Sequence, residues 1–351
     1  MLKANYIPYN LLFRQAAGTS RGVLRSKVSW FIFLYDSEYP EITGIGECSL
    51  IPGLSPDPAE SIETEFATLC QQIQHYESWI TKRGSLFPAL HFGLETALLD
   101  LKQGGRRIFF INDFTLGLKS IPINGLIWMG TPENMRKQIA SKIDAGFNCI
   151  KIKVGAIDFE EELKLLHFLR QEFSSQEVVI RLDANGAFGP DEALEKLKQL
   201  SAFGIHSIEQ PVRQGQFEKM ALLCEKSPIP IALDEELIYV TGRPEREWLL
   251  KTVKPQYIIL KPSLVGGLKE SEEWISLADE NGIDWWATSA LESNIGLNVI
   301  AQWTSTKKLT LPQGLGTGQL YTNNFESPLQ ICNGMLFHNP DLGWNFNQLK
   351  P

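Results

Sequence analysis

Five charged residues recur at the ends of short apolar runs. Cys149-Ile150-Lys151-Ile152-Lys153-Val154-Gly155 reads as a buried strand carrying two lysines. A strand interior is a poor place for an unpaired ammonium, so the lysines belong at the strand's end. Asp183 ends Val178-Val179-Ile180-Arg181-Leu182, Glu209 ends Ile205-His206-Ser207-Ile208, and Asp234 ends Ile229-Pro230-Ile231-Ala232-Leu233. Lys261 ends Tyr257-Ile258-Ile259-Leu260. From Lys153 to Lys261 the successive spacings are 30, 26, 25 and 27 residues. A step of that size holds one strand, one helix and two loops. One charged group per strand end, repeated in this way, is how a parallel α/β barrel assembles a site at one rim.

Neighbouring strands in such a barrel lie about 4.8 Å apart, so Asp183, Glu209 and Asp234 converge. Like charges that close repel unless a cation joins them. Oxygen-only ligation, with no Cys or His in the set, favours Mg²⁺, with water or substrate completing an octahedron and Mn²⁺ as a substitute. Taken singly, each acid reads as well as a surface loop residue or a helix cap. Three at matched strand ends, flanked by matched lysines, read as a ligand set. Lys153 and Lys261 can face each other across the metal in a closed ring of strands. A divalent cation and a second ammonium disfavour a charged lysine, which leaves a neutral amine to act as a base. Lys151 shares a face with Lys153, being two residues away on a strand, and is the expected second ammonium. The bland reading of Lys151 is a lysine snorkelling at the surface.

The elements that must hold these groups can be read in order. Residues 5 to 14 and 24 to 35 are strand-like, joined across Gly18-Thr19-Ser20-Arg21-Gly22, and Gly44-Ile45-Gly46-Glu47-Cys48 ends a third strand. Helical periodicity follows at 58 to 75, with Ile62, Phe66, Leu69 and Ile73 on one face, and at 89 to 103. Residues 1–118 therefore form an α+β unit. From about 119 strands and helices alternate. Ile121 to Trp128 reads as one strand, and Thr131-Pro132-Glu133 opens a helix with a cap residue, a proline and an early acid. Gly189-Pro190-Asp191-Glu192 reads as another helix start. About eight strands fit into 119–318, the last running into Gln313-Gly314-Leu315-Gly316-Thr317-Gly318. The tail 319–351 is aromatic and short of helix signals, and is expected to pack back on the first unit.

The chain has 351 residues, 43% of them hydrophobic and 21% charged, enough for a large core and two domains. A net charge of −8 argues against nucleic acid as a partner. The five cysteines, Cys48, Cys70, Cys149, Cys224 and Cys332, have no metal spacing and read as reduced core residues. No stretch is apolar for long enough to span a membrane, so the expected address is the cytoplasm. The oligomeric state is not legible.

The order Lys-Ile-Lys at 151–153, Asp-Ala-Asn-Gly from Asp183, Glu-Gln-Pro from Glu209, Asp-Glu from Asp234 and Lys-Pro from Lys261 resembles the enolase superfamily, in its muconate-lactonising subgroup. Gly46-Glu47 and Leu94-Glu95-Thr96-Ala97-Leu98-Leu99-Asp100 resemble its capping-loop and cap-helix segments, so the resemblance runs through essentially the whole chain. It implies a modified TIM barrel, (β/α)7β, with an α+β capping domain. Ser289-Ala290-Leu291-Glu292-Ser293-Asn294-Ile295-Gly296 and Gly314-Leu315-Gly316-Thr317-Gly318 resemble the members that dehydrate a cyclohexadiene carboxylate bearing a hydroxyl and a succinyl side chain. That resemblance implies a small-molecule carboxylate substrate bound to the metal, which stabilises an enediolate. Lys153 resembles the base that removes the α-proton and then protonates the leaving hydroxyl. Lys261 resembles the cation that stabilises the anion. Asn185 is expected to support the ligand shell, and Ser289 to hold the substrate, unless backbone groups do so. The turn from Thr19 to Gly22 is expected to close over it. Racemisation of N-succinylamino acids, epimerisation of dipeptides and a non-catalytic barrel stay open. Dipeptide epimerases usually carry Asp-x-Asp at the eighth strand, where this chain has only glycine, leucine and threonine.

Overall fold

The computed structural model describes residues 1–19, 22–83 and 86–349. Strands β1 (Leu2–Thr19), β2 (Gly22–Asp36) and β3 (Tyr39–Ser49) form an antiparallel sheet in the order β1-β2-β3. Alternation along β2 sends its side chains to two different cores. Trp30, Ile32 and Leu34 pack with Phe66, Leu69, Leu90 and Leu94. These last four come from α1 (Ile62–Gln71) and α3 (Pro88–Lys102). Phe31 turns the other way, onto Phe325, Ile295 and Leu349. Helix α2 (Tyr76–Arg83) was not expected from the sequence; its apolar residues are too few to show a stripe.

The second unit alternates strand and helix. Its elements are β4 (Ile121–Pro122), β5 (Gly125–Ile127), α4 (Pro132–Asp144), β6 (Cys149–Lys153), α5 (Phe159–Glu172), β7 (Val179–Asp183), α6 (Ala193–Ser201) and β8 (Ile205–Glu209). There follow α7 (Phe217–Lys226), β9 (Ile231–Leu233), α8 (Arg243–Val253), β10 (Tyr257–Leu260), α9 (Pro262–Val265), α10 (Leu268–Glu280), β11 (Asp284–Ala287) and α11 (Asn294–Ser305). Strands β5 to β11 lie side by side in sequence order, and the pairs joining them are parallel. The ring closes through the short run at 313–314. Gln313 N donates to Pro122 O (2.8 Å), Asn124 N to Gln313 O (2.9 Å), Gly314 N to Ala287 O (2.8 Å) and Ser289 N to Gly314 O (3.1 Å). The fold is thus a (β/α)7β modified TIM barrel with a separate α+β capping domain.

Three expectations are corrected. The single strand expected over Ile121 to Trp128 is broken: Ile121–Pro122 pairs antiparallel with β13 (Met335–His338), and Pro122, which has no N–H to donate, keeps only its carbonyl bond to Gln313 in the barrel. The helix expected at Gly189 begins at Ala193. Of the cysteines, all free, Cys332 is exposed and Cys70 half-buried, so they are not all core residues. The tail has two destinations. Its first part meets the capping domain, where Arg14 N donates to Leu320 O (2.8 Å) and Thr322 N to Leu12 O (2.9 Å). Beyond it, β12 (Leu329–Cys332) and β13 form a hairpin against β4. Among the described residues, no helix is long and apolar enough to cross a membrane.

Candidate active site

Strand register aligns the first three charged groups. Lys153 lies opposite Asp183 on β7, and Asp183 opposite Glu209 on β8. Asp234 follows β9 and Lys261 follows β10, so all five stand where the strands end. Lys151 points inward one layer lower, opposite Arg181. The Arg181 guanidinium lies 3.9 Å from the Trp286 ring and donates to Pro312 O (2.8 Å), forming the floor beneath the site. Lys151 is buried, which rules out the snorkelling alternative.

The structure brings the predicted groups together as interlocked charges. Lys151 Nζ lies 2.8 Å from Asp183 Oδ2 and 2.6 Å from Glu209 Oε2. Lys153 Nζ lies 2.9 Å from Asp183 Oδ2 and donates to Asn185 Oδ1 at 2.6 Å. Lys261 Nζ pairs with Asp234 Oδ2. Asn185 is held in turn: its Nδ2 donates to Glu235 Oε1 (3.0 Å), its backbone N donates to Asp183 Oδ1 (3.1 Å), and its φ is +44°.

Burial and charge pull on these groups in opposite directions. Burial alone would raise the Asp183 carboxyl, but the Lys151 and Lys153 ammoniums outweigh it and hold the group below the usual carboxylate range. Glu209 is pushed well above that range, first by burial and then by the negative charge of Asp183. Burial disfavours charge on Lys151, yet Asp183 and Glu209 overcome it and raise the group. Lys261 is raised likewise: burial opposes its charge, and Asp234 and Glu209 prevail.

Among the described residues, no three His, Cys, Asp or Glu side chains stand together in ligating geometry; lysine ammoniums hold the carboxylate oxygens instead. The donor set nonetheless fits a hard divalent cation. Its three acids supply oxygen alone, and Asp234 Oδ1 is buried with no hydrogen-bond partner among the described residues.

A cavity of about 200 Å³ opens over these groups, with Lys151, Lys153, Asp183, Asn185 and Lys261 in its floor. Its upper wall comes from the capping domain, through Val23, Leu24, Ile51 and Leu54. Ser289 lines it too, but its hydroxyl donates to Glu292 Oε2 at 2.5 Å. The turn expected to close over the substrate centres on Ser20 and Arg21, outside the described residues; Gly22 beside it lines the cavity.

Sequence reasoning missed several residues. Asn124 Oδ1, Thr288 Oγ1 and Thr317 Oγ1 are buried without partners among the described residues, and all three residues line the cavity. Position beside the seventh and eighth strand ends was a signal for the two threonines; Asn124 carried none. Gln210, at φ +42°, accepts from the backbone N of Asp234 (3.2 Å) and of Glu236 (3.3 Å), and so fixes the strand end that carries Asp234.

Known proteins resemble this chain in sequence and fold. A family model described as Enolase C-terminal domain-like matches residues 134–347. An o-succinylbenzoate synthase from Desulfotalea psychrophila is 49% identical over 95% of this chain and 98% of its own length. The crystal structure of MenC from Desulfotalea psychrophila LSv54 superposes with a TM-score of 0.85 at 45% identity, covering 96% of this chain and 99% of that one. An N-succinylamino acid racemase from Amycolatopsis is 24% identical over 69% of this chain and 64% of its own length. With its acids and lysines on successive barrel strand ends under a capping domain, this chain belongs to the enolase superfamily.

Proposed function

We propose that this chain catalyses the syn dehydration of 2-succinyl-6-hydroxy-2,4-cyclohexadiene-1-carboxylate to o-succinylbenzoate, a hydro-lyase step of menaquinone biosynthesis. The observation that carries the reading is near-half identity to an o-succinylbenzoate synthase along almost the full length of both chains. Asp183, Glu209 and Asp234 would hold Mg²⁺, or Mn²⁺ in its place, once the lysine ammoniums give up their oxygens. A cation there supplies neutralisation of the substrate carboxylate as its α-proton leaves.

The chain's own residues do the proton work. Lys153, as the free amine, removes the α-proton, and the electron pair enters the carboxylate as an enediolate. The same Nζ, now an ammonium, gives its proton to the C6 hydroxyl on the same face. The C–O bond breaks, water leaves and the ring becomes aromatic. Lys261 stands across the cavity on the sixth of eight strands, where Lys153 is on the second. As an ammonium it stabilises the developing anion. Asn185 orients Lys153 through the 2.6 Å hydrogen bond. Ser289 shapes the pocket wall. The acidic net charge fits a small-molecule substrate better than nucleic acid, and the five free cysteines fit the cytoplasm.

The opposed lysines also favour a second reading, racemisation of N-succinylamino acids, in which both lysines move protons. No acid of the Asp-x-Asp type lines the cavity at Gly314, Gly316 and Thr317, which disfavours dipeptides. One experiment separates the readings: purified protein with Mg²⁺ is given the cyclohexadiene substrate beside a panel of N-succinylamino acids. Dehydration is expected to dominate, and Lys153→Ala to abolish both dehydration and exchange of the α-proton with deuterium. Efficient racemisation with weak dehydration reverses the preference. Exchange that survives Lys153→Ala moves the base elsewhere.

A further inference from the structure

Lys27 lies on β2 of the capping domain and is buried. Its ammonium has three acceptors: Ser29 Oγ at 3.2 Å, Ser49 Oγ, and the main-chain carbonyl of Leu291 at 3.0 Å. The first two are in strands β2 and β3. The third belongs to the loop after β11, in the barrel, 264 residues away. Leu291 is no ordinary acceptor. It lines the cavity and sits at φ +62°, a left-handed conformation that a leucine adopts only when its surroundings impose it. The same carbonyl accepts a second hydrogen bond, 2.7 Å, from the buried hydroxyl of Tyr321 in the C-terminal segment.

The rest of this loop is held as firmly. Glu292 accepts from Ser263 Oγ and Ser289 Oγ, each at 2.5 Å. Glu47 of β3 accepts from Ser293 N (2.9 Å), Ser293 Oγ (2.6 Å) and Gly296 N (3.0 Å), and its other neighbour Ser29 donates to it at 2.8 Å. Lys27 thus stands among groups that fix both sides of Leu291. A buried ammonium with neutral acceptors is an expensive way to fill space; a methionine would occupy a similar volume without the desolvation. What methionine cannot do is donate to the Leu291 carbonyl.

We propose that Lys27 is a positioning residue that, with Tyr321, locks the Leu291 carbonyl and so shapes the substrate-facing wall formed by Ser289, Ala290 and Leu291. The capping domain then sets the pocket from behind as well as covering it from above. The kinetic part of the proposal rests on the dehydratase reading; the structural part does not.

The test uses the full-length protein with Mg²⁺. Lys27→Met is expected to raise KM for the cyclohexadiene substrate about tenfold while kcat stays within about threefold, since the groups that move protons are untouched. Tyr321→Phe, which keeps the ring packing and loses one of two donors, is expected to shift KM in the same direction by less. Both variants should show faster backbone hydrogen exchange in the peptide covering 288–296 than the parent. A loss of stability alone would move neither the KM-to-kcat split nor exchange confined to that peptide. Unchanged KM, a fall confined to kcat, or unchanged exchange in that peptide overturns the proposal. If Lys27→Met does not fold, Tyr321→Phe decides by the same readings. If the parent does not turn over the cyclohexadiene substrate, the dehydratase reading fails, and the exchange comparison still decides the role of Lys27.

Discussion

At the scale of single residues, the proposed roles of Lys153 and Lys261 ask different things of the same side chain. Lys153 shares Asp183 Oδ2 with Lys151 and leans on the neutral Asn185 amide. Lys261 pairs with Asp234 and is raised by it, after the opposing effect of burial. A cation that never gives up its proton can perform the second task and not the first. Lys261→Arg should therefore retain measurable dehydration, because arginine stays charged at every accessible pH. Lys261→Ala should lose about a hundredfold in kcat, about 3 kcal/mol of transition-state stabilisation. Steady-state kinetics of the two variants, with a structure of the arginine form to check its fit, measures the difference. Equal loss in both variants points to Lys261 moving a proton, as a racemase requires.

At the scale of elements, buried carboxylates join the parts. Glu95 of α3 accepts from the backbone N of Leu268 (2.6 Å) and of Lys269 (3.1 Å), at the start of α10, while Glu47 does the same for α11. Both answer the unpaired N–H groups of a helix's first turn, and both reach from one domain into the other. Gly267 is needed beside Glu95: its φ is +111°, and a Cβ would come within 2.2 Å of Glu95 Oε2. Glu162 belongs to α5 and accepts from Gly155 N (2.5 Å), closing the loop that follows Lys153. Burial, only partly offset by backbone N–H groups, raises this acid from 4.5 to about 7. An acid whose folded value is raised binds its proton more tightly when folded. Its contribution is most favourable below the unfolded value and is lost as pH rises through the folded one. Glu162→Gln cannot ionise. Its melting temperature relative to the parent should therefore climb as pH rises from about 4 to about 7. A difference that stays flat over that range shows that Glu162 does not carry the titration.

At the scale of the whole molecule, acids and lysines from five strand ends are locked together in a site that a cation would have to reorganise. A ligand that binds only the folded state stabilises it by about 2.7 kcal/mol at a hundred times its Kd. Saturating Mg²⁺ should therefore raise the melting temperature of the parent protein. Asp183→Asn removes the carboxylate that two buried ammoniums share, so its melting temperature without metal should fall; the ligand role is tested by loss of the further rise with Mg²⁺, along with loss of Mg²⁺-dependent turnover. A full Mg²⁺ shift in Asp183→Asn would remove Asp183 from the ligand set. The cavity also joins both domains, since Leu24 and Ile51 line it together with Lys153 and Lys261.

The amino-acid sequence by itself determined the barrel and its rim of charge. Each strand-and-helix unit is local, about 25 to 30 residues long, and two-residue alternation along a strand decides which side chains point inward. Lys151, Lys153, Asp183, Glu209, Asp234 and Lys261 were legible for that reason, and the structure gathers all six. Only the tertiary structure decided what surrounds them. Lys27 meets Leu291, 264 residues on, and Glu47 meets Ser293, 246 residues on. Nothing in a lone lysine on a capping strand, or in Asn124 between β4 and β5, distinguishes them from ordinary solvated residues. Their chemistry comes from burial, and burial depends on which distant segments come together. The broken strand at Pro122 and the hairpin that pairs with it show the same dependence: the missing N–H was visible in the sequence, but the strand that pairs there was not.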